Sequence, residues 1–157
     1  MGIVLVDNKF LPQAKTAIEG ARKTIDIATF KAEVTAKPRG IALQHFFKSL
    51  ITQSKKQVKV RFLLNWNTER ASVAKTNLYV MTELKKLNLK IRFLRNNRCC
   101  HAKLIIVDNE IAIFGSHNLS VRSCHNNFEL SYFTQEKETV EQLSDIFSHS
   151  WADAKKF

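Results

Sequence analysis

The sequence predicts an α/β fold, in which a mixed β-sheet is flanked by helices on both faces. Short apolar runs of strand length, such as residues 24–30 and 58–64, alternate with segments whose apolar residues recur at helical spacing, such as residues 41–51. Such alternation is typical of a sheet covered by helices. No linker, low-complexity segment or clear repeat interrupts it, and 157 residues suit one domain with a sizeable core. We therefore expect residues 1–157 to form a single domain.

The first half of the chain predicts three strands and two helices. Residues 3–6 form an apolar strand, and Asp7 or Asn8 is positioned to cap the helix that follows. After the second strand, a loop carries three basic residues that we expect at the mouth of a site: Lys31, Lys37 and Arg39. A helix follows from residue 41. The third strand, residues 58–64, alternates basic and apolar residues, which favours a half-exposed strand over a fully buried parallel one.

The second half predicts two helices, a hairpin and two further strands. A helix over residues 72–87 precedes a strand over 89–94, and a strand over 128–134 precedes a closing helix over 136–155. Helical spacing places these side chains on the inward faces of the two helices: Leu78, Met81 and Leu84, then Val140, Leu143, Phe147 and Trp151. Trp66, which follows the third strand, is more typical of a core or interface residue than of a base-stacking platform.

The predicted hairpin concentrates the polar chemistry of the chain. His101 and Lys103 stand two residues apart, so in a strand their side chains share one face. Asp108 opens a turn signal, after which a short apolar strand returns. The hairpin then ends in Gly115-Ser116-His117-Asn118, which hairpin closure would bring near His101. A nucleophile or base, a fixed cation and small hydrogen-bond donors are the groups needed to hold and attack a phosphate.

The spacing of six of these residues resembles the signature motif of the phospholipase D superfamily. That motif reads His-x-Lys, four residues, Asp, six residues, Gly-Ser, one residue, Asn, and it is met without departure by His101, Lys103, Asp108, Gly115, Ser116 and Asn118. Glu129 occupies the place of the acid that follows the Asn in this superfamily. The nearest likeness is to small bacterial endonucleases of the superfamily that carry one copy of the motif. The resemblance implies the phospholipase D-like fold.

The resemblance also implies which residues react. His101 is expected to be the nucleophile that forms a covalent phosphohistidine, and Glu129 to hold its second ring nitrogen and fix its tautomer. Lys103, Ser116 and Asn118 are expected to bind the substrate phosphate, with Lys103 neutralising its charge. A core histidine and a strand lysine that reaches out to water are the plainer interpretations, and they suit a lone residue better than this constellation.

Two motif residues are expected to be structural. Gly115 and Asp108 match the motif, but Asp108 lies at a turn five residues beyond Lys103. We therefore expect Asp108 to act through turn and salt-bridge contacts and not as a catalytic acid.

The charge of the chain is +11 and is unevenly distributed. Residues 129–157 hold 3 Lys/Arg and 6 Asp/Glu, which leaves 22 and 8, a charge of +14, for residues 1–128. A basic body is typical of a protein that binds a polyanion, either nucleic acid or an anionic membrane surface, although a solvated basic face is the plainer alternative. No apolar run reaches the length of a membrane span, and the N-terminus does not resemble a signal peptide. We expect a soluble, cytoplasmic protein.

A zinc site is the main alternative for the reactive residues. Cys99, Cys100, His101, Cys124 and His125 are zinc ligands in type. However, adjacent cysteines rarely bind one ion, and the sequence has no Cys-x-x-Cys pair. We expect no metal and no other cofactor, with the cysteines acting as small buried apolar residues.

The leading functional hypothesis is a metal-independent endonuclease that hydrolyses phosphodiester bonds of DNA or RNA. The alternatives are a phospholipase D-type lipid phosphodiesterase, which would need an apolar surface to dock on a membrane, and a non-catalytic nucleic-acid-binding module. The intact motif argues against the second alternative, because loss of activity usually accompanies loss of the His or Lys.

The single motif copy predicts a homodimer. The superfamily mechanism uses two histidines, one as nucleophile and one as general acid for the leaving oxygen. The only other candidate pair, His45 and Lys48, has the wrong spacing and lies in a helical pattern. We therefore expect two chains to share one active site at a two-fold axis. A monomer whose leaving group is protonated by water, His117 or His125 is the plainer alternative.

Overall fold

The computed structural model describes residues 2–35, 38–87 and 89–157. Lys37, one of the three basic residues predicted at the mouth of the site, lies outside the described residues.

The strands of the described chain form one mixed sheet. Numbered in chain order, they are β1 (Gly2–Val6), β2 (Thr24–Thr29), β3 (Lys59–Leu64), β4 (Lys90–Phe93), β5 (Lys103–Val107), β6 (Ile111–Gly115), β7 (Leu130–Thr134) and β8 (Lys155–Lys156). Their order across the sheet is β1-β7-β6-β5-β2-β3-β4-β8. β2, β3 and β4 run parallel, and the other neighbouring pairs are antiparallel. The predicted mixed sheet is confirmed.

Helices cover both faces of this sheet. They are α1 (Phe10–Glu19), α2 (Ile41–Lys55), α3 (Ala71–Lys86), α4 (Val121–His125) and α5 (Lys137–Asp153), with short 3-10 turns at Asp7–Lys9, Pro38–Gly40 and Thr68–Arg70. On one face, Ile18, Phe46 and Met81 bring α1, α2 and α3 into one core cluster with the sheet. On the other face, α5 buries Phe147 and Trp151 in a second cluster. None of the described helices combines the length and apolarity needed to cross a bilayer.

The third strand differs from its prediction. β3 lies between β2 and β4 and is parallel to both, although its sequence alternates like a half-exposed strand. The reason is Arg61, whose guanidinium is covered by α5 and bonded to the buried Asp26 carboxylate at 2.5 and 2.6 Å. A paired and covered arginine satisfies a position that looked solvent-exposed in the sequence, so only Lys59 is exposed on this strand.

Two local predictions in the helices are wrong. Neither Asp7 nor Asn8 caps α1, because both lie in a 3-10 turn, and the N-cap of α1 is Lys9 without a side-chain hydrogen bond. The Asp7 carboxylate instead accepts from the backbone N–H of Glu129 at 2.8 Å. Leu78 was expected to face inward on α3 but is 40% exposed.

The hairpin that carries the motif forms as predicted, with one difference. Asp108 and Asn109 both have a φ of 56°, which is the left-handed conformation that a type I′ turn requires at both central residues. β5 begins only at Lys103, so His101 lies in the connection just before the strand. Thr29 of β2 is paired with Lys103, which places the site where β2 and β3 end and β5 begins.

Candidate active site

The centre of the site is a contact between His101 and Lys103. The ammonium Nζ of Lys103 lies 3.0 Å from Nδ1 of His101 and donates to the His101 backbone oxygen at 2.7 Å. The Phe30 ring, at the end of β2, lies 4.8 Å from the imidazole and 5.6 Å from the ammonium. His101 is exposed and Lys103 is half-buried. An exposed imidazole beside a fixed cation is therefore open to an incoming anion.

The pKa values of both groups are lowered. Burial, followed by the charges of Lys103 and Arg70, lowers the pKa of His101 below its usual value. Burial also lowers the pKa of Lys103, and the nearby Glu129 carboxylate offsets this only in part. A neutral imidazole is the form that can attack phosphorus, so the surroundings favour the reactive state of His101.

Asn118 is held at the same edge of the sheet by the backbone of the loop that follows β2. Its side-chain Oδ1 accepts from the Lys31 backbone N–H at 3.1 Å. The backbone N–H of Asn118 donates to Ser123 Oγ at 2.9 Å. The Nδ2 group has no hydrogen-bond acceptor among the described residues. The carboxamide is therefore fixed through its oxygen, and its two N–H donors remain available to a phosphate oxygen.

Ser116 and Glu129 form a network separate from the histidine. Ser116 donates its hydroxyl hydrogen to Glu129 Oε2, and the other oxygen, Oε1, accepts from Ser123 and Asn127, each at 2.9 Å. Burial opposes ionisation of Glu129, but these three hydrogen bonds outweigh it and hold its pKa below the usual value. Within the described chain, the Glu129 carboxylate forms no hydrogen bond to His101. Within one chain, Glu129 is therefore bonded to Ser116 and does not hold the second ring nitrogen of His101.

This network changes the expected position of Ser116. Its hydroxyl hydrogen is directed at Glu129, and its oxygen accepts from the Leu130 backbone N–H at 3.1 Å. In this arrangement the serine links the hairpin to β7, and a hydrogen bond to a phosphate would require its hydroxyl to turn.

Asp108 and Gly115 have contacts that are structural in kind. The Asp108 carboxylate accepts from the backbone N–H groups of Arg22, Lys23 and Thr24 at 2.7, 2.7 and 2.8 Å. These contacts are hydrogen bonds to backbone rather than the predicted salt bridges, and they tie the hairpin turn to the start of β2. At Gly115, a side-chain Cβ would lie 2.3 Å from the Leu130 backbone oxygen, so close strand packing excludes any larger residue.

The other histidine of the motif region is buried. His117 is 2% exposed and stacks on Phe10 with 4.4 Å between ring centroids. Its Nε2–H donates to the Asp7 backbone oxygen at 3.0 Å, which leaves Nδ1 to accept from Ser131 Oγ at 2.8 Å. With both nitrogens occupied inside the fold, His117 is poorly placed to protonate a leaving group.

The zinc alternative gains no support from the geometry. Across residues 2–35, 38–87 and 89–157, no three His, Cys, Asp or Glu side chains are arranged to hold a metal ion. Cys100 and Cys124 are buried, and burial raises the pKa of each thiol to about 11, while Cys99 is exposed. The expectation of buried cysteines is confirmed for two of the three.

Several residues of the site were not predicted from the sequence. Ser123 and Asn127 hold Glu129, Phe30 lies against His101, and Arg70 contributes positive charge. Ser120-x-x-Ser123 is a helix-start signal, and Ser120 does accept from the Ser123 N–H at 3.4 Å to cap α4. That signal would have located the helix that carries Ser123, whereas nothing in the sequence around Phe30 or Arg70 points to the histidine.

Comparison with known proteins places this site in a family. Residues 14–151 match the family model described as "Cardiolipin synthase, PLD-like domain". A cardiolipin synthase of Listeria monocytogenes is 37% identical over 90 residues, which cover 57% of this chain. The chain spans only 18% of the length of that relative.

Solved structures of similar fold match over the whole chain. A phospholipase D family member, Nuc from Salmonella typhimurium, superimposes with a TM-score of 0.80 at 19% identity, covering 100% of this chain and 99% of that one. NucT from Helicobacter pylori superimposes with a TM-score of 0.78 at 17% identity, with the same coverage. The predicted phospholipase D-like fold is confirmed, and the chain belongs to the phospholipase D superfamily, in the family of PLD-like domains.

Proposed function

We propose that the chain is a metal-independent phosphodiesterase that cleaves nucleic acid through a covalent phosphohistidine on His101. The observation that carries the proposal is the 3.0 Å contact between the Lys103 ammonium and the exposed His101 imidazole. It supplies a nucleophile and a charge for the phosphate from protein side chains alone. In many phosphodiesterases bound metal ions supply that charge.

In the proposed reaction the imidazole attacks phosphorus, a P–N bond forms, and the bond to the leaving oxygen breaks. The leaving oxygen takes a proton from a second histidine acting as general acid. Water then attacks the phosphohistidine while that histidine, now neutral, accepts the water proton. The P–N bond breaks, His101 is regenerated, and the product is a phosphomonoester.

Lys103 and Asn118 are proposed to stabilise the charge that develops on the phosphoryl oxygens. Lys103 offers an ammonium that is half-buried, where its field is screened less than in water. Asn118 offers two Nδ2–H donors, because its hydrogen bond to the Lys31 backbone uses only Oδ1. Glu129 is proposed to act through Ser116 and Ser123, positioning the segment that carries Asn118.

Nucleic acid is the proposed substrate because the site is surrounded by cations. The charge of Arg70 acts on His101, and the exposed Arg98 precedes His101 in the same connection. Lys31 contacts Asn118 through its backbone, and its ammonium lies 3.9 Å from the Glu33 carboxylate. Steering and binding of a polyanion need such a field, whereas one lipid headgroup needs only the central pair. Transfer between lipid phosphodiesters is the second candidate, since the matching family model is named for cardiolipin synthase. An apolar residue beside the site, Phe128, is 78% exposed and would suit contact with lipid.

We further propose that the second histidine comes from a second copy of the chain. β7 and β1, at one edge of the sheet, leave an apolar patch on the face that carries α5: Val4, Val6, Leu130 and Tyr132, which are 39–60% exposed. This apolar patch adjoins Ser116 and Glu129. Burying it against its own copy would remove apolar area from water and bring two sites together.

The proposed activity is tested with a substrate panel in EDTA. Purified protein is incubated with single-stranded DNA, double-stranded DNA, RNA and phosphatidylglycerol, each with and without excess EDTA. We expect cleavage of at least one nucleic acid that EDTA does not reduce. Nuclease activity abolished by EDTA and restored by Mg²⁺, or activity on the lipid alone, would refute the proposal.

The shared site is tested by mixing subunits. Wild-type protein is titrated with His101→Asn protein after subunit exchange, and the mass in solution is measured by light scattering at assay concentration. A shared site predicts that mixed dimers are inactive. A fully active monomer, or mixed dimers with half the wild-type activity, would show that each chain works alone.

A further inference from the structure

A single helix cannot cover the α5 face of this sheet, and what it leaves uncovered differs between the two edges. Eight strands at about 4.8 Å spacing span roughly 35 Å, whereas a helix with its side chains is about 10 Å wide. At the β1 edge the uncovered face is the apolar patch. At the β8 edge it is strongly basic.

The basic edge is defined by strand register. Arg61 of β3 is paired with Lys90 of β4, and Arg92 of β4 is paired with Lys156 of β8, so the four side chains share one face. Lys59, two residues before Arg61, lies on the same face. We call this surface the basic facet: Lys59, Arg61, Lys90, Arg92 and Lys156. Arg61 and Arg92 both lie over the Trp151 ring of α5, which confirms the face.

Most of this charge is uncompensated. Asp26 neutralises Arg61, and Arg92 donates to the Trp151 backbone oxygen at 2.6 Å, so it keeps its charge. Lys59, Lys90 and Lys156 are exposed, and none of them forms an ion pair within the described part of the chain. A fold that gathers cations without acidic partners offers them to an external anion.

The basic facet connects to the active site through the chain itself. β4 runs parallel to β2 and β3, so its C-terminal end lies at the same edge of the sheet as His101. Two exposed arginines, Arg95 and Arg98, occupy the connection between Phe93 and His101. Arg95 also contacts Asp153, whose carboxylate lies 3.9 Å from its Nε, so Arg98 is the cation of this pair that forms no ion pair within the described residues. Three strand spacings separate β4 from β5, and β4 adds a further ~10 Å along its length. The far end of the facet is therefore on the order of 20 Å from the reacting phosphate.

The shape of the basic facet favours a nucleic-acid strand over a membrane as its ligand. The facet lies at the level of the sheet, at the foot of α5, which rises about 10 Å above it. A flat bilayer resting on α5 would be held away from Lys90 and Arg92. A nucleic-acid strand is narrow enough to lie on the sheet beside α5. The outer surface of α5 also exposes acidic residues, including Glu141 and Asp145, which repel an anionic bilayer.

We infer that the basic facet is a secondary binding track for the nucleic-acid strand, engaging phosphates about six nucleotides from the scissile bond. The inference rests on the proposed function and adds the direction in which the substrate leaves the site. The spacing follows from ~20 Å at about 3.4 Å per nucleotide along one strand.

Binding is measured separately from cleavage, in the His101→Asn background. Fluorescence anisotropy follows a labelled 20-nucleotide and a labelled 4-nucleotide oligothymidylate between 50 and 200 mM salt. The facet variant is Lys90→Glu/Lys156→Glu. The control is Lys48→Glu/Lys56→Glu, which makes the same change in net charge on the opposite face, at exposed positions of α2 and its C-terminus.

We expect the facet variant to bind the 20-mer at least tenfold more weakly than the control does at 50 mM salt. We also expect the slope of log affinity against log salt to fall by about 1.4, since each lost single-strand phosphate contact removes about 0.7. Binding of the 4-mer, which cannot reach the facet, should be the same in both variants. If the charge reversal lowers the midpoint of thermal unfolding, Lys90→Ala/Lys156→Ala replaces it.

Equal losses in the facet and control variants would overturn the track. A facet variant that no longer binds phosphatidylglycerol vesicles, but binds the 20-mer as tightly as the control variant does, would also overturn the track. That result would mean that the facet binds a membrane. Failure of the proposed function looks different, because the wild-type protein would then cleave none of the nucleic acids in the substrate panel.

Discussion

The Lys103 ammonium lies 3.0 Å from Nδ1 of His101, so the proposed nucleophile and the charge proposed to attract its substrate form one unit. The cation also makes protonation of the imidazole less favourable, and burial acts in the same direction and more strongly. The pKa of His101 is therefore lower than that of an ordinary histidine, which favours the neutral imidazole.

The first prediction concerns the acid limb of the pH–rate profile. Arg70 contributes to the lowered pKa of His101, so Arg70→Gln should raise that pKa and move the loss of activity to higher pH. The sign follows because only the neutral imidazole attacks, and the variant is protonated earlier as pH falls. The profile of kcat/KM between pH 4 and 8 checks this, with the remote Arg22→Gln as control. An unchanged limb in Arg70→Gln would mean that another group sets it.

The second prediction separates turnover from binding. His101→Asn should lower kcat by about 10⁴-fold or more, because it removes the imidazole that is proposed to attack phosphorus. Nucleic-acid binding should persist and weaken steeply with salt, since it depends on many phosphate contacts. Rapid-quench cleavage and anisotropy on the same preparation measure the two properties. Wild-type turnover in the variant would exclude His101 as the nucleophile.

The third prediction concerns Glu129. Glu129→Gln cannot accept from Ser116, Ser123 and Asn127 together, because the amide brings a donor to a site where every neighbour donates. We expect a stability loss of about 1.5–3 kcal/mol with the fold retained, and kcat lowered by about 100-fold or more through misplacement of Asn118. Urea unfolding and steady-state kinetics measure the two effects. Normal kinetics in a destabilised protein would make Glu129 purely structural.

The fourth prediction concerns Asp108. Asp108→Ala removes the acceptor of three backbone N–H groups and places Ala at a φ of 56°, so we expect a loss of about 2–4 kcal/mol. Asp108→Asn, which keeps one acceptor oxygen and tolerates this backbone conformation, should lose less. Neither change should reduce kcat when the protein is folded. A large fall in kcat for folded Asp108→Asn would contradict a structural role.

Asp108 also gives a pH dependence of stability. Burial opposes its ionisation, but the backbone hydrogen bonds outweigh it and lower its pKa in the folded state. A carboxyl with a lowered folded-state pKa stabilises the fold above its unfolded-state value of about 3.9, and this contribution is lost as pH falls through the folded-state pKa. Urea midpoints at pH 7 and pH 3 should therefore differ less in Asp108→Asn than in the wild-type protein.

The sequence predicted the centre of this site because its geometry is local. A turn signal at Asp108-Asn109 pairs β5 with β6, and the His-x-Lys spacing brings Lys103 to His101 without help from distant residues. The Glu129 network was not predictable in the same way. It depends on α4 bringing Ser123 under the carboxylate, and the spacing of the motif contains no information about that helix.

The parallel pairing of β3 was missed for a similar reason. Lys59 and Arg61 read as solvent-facing, yet Arg61 is paired with Asp26 of the neighbouring strand β2, 35 residues earlier in the sequence, and covered by α5. The alternation pattern of one strand does not show whether a charged side chain is paired with a residue of another strand. A charged residue in a strand therefore does not by itself predict exposure to solvent. The two-residue β8, which completes the basic facet, is too short to show any period.

The central claim is that His101 becomes covalently phosphorylated during cleavage of nucleic acid. A labelled oligonucleotide is mixed with excess enzyme in EDTA, quenched in alkaline detergent within milliseconds, and digested for mass spectrometry. We expect a nucleotide joined through its phosphate to the peptide that contains His101, formed and lost at rates compatible with turnover. In Asn118→Ala the amount of this adduct should fall in proportion to the cleavage rate. Cleavage that proceeds at the wild-type rate with no adduct on His101 at any time would contradict it.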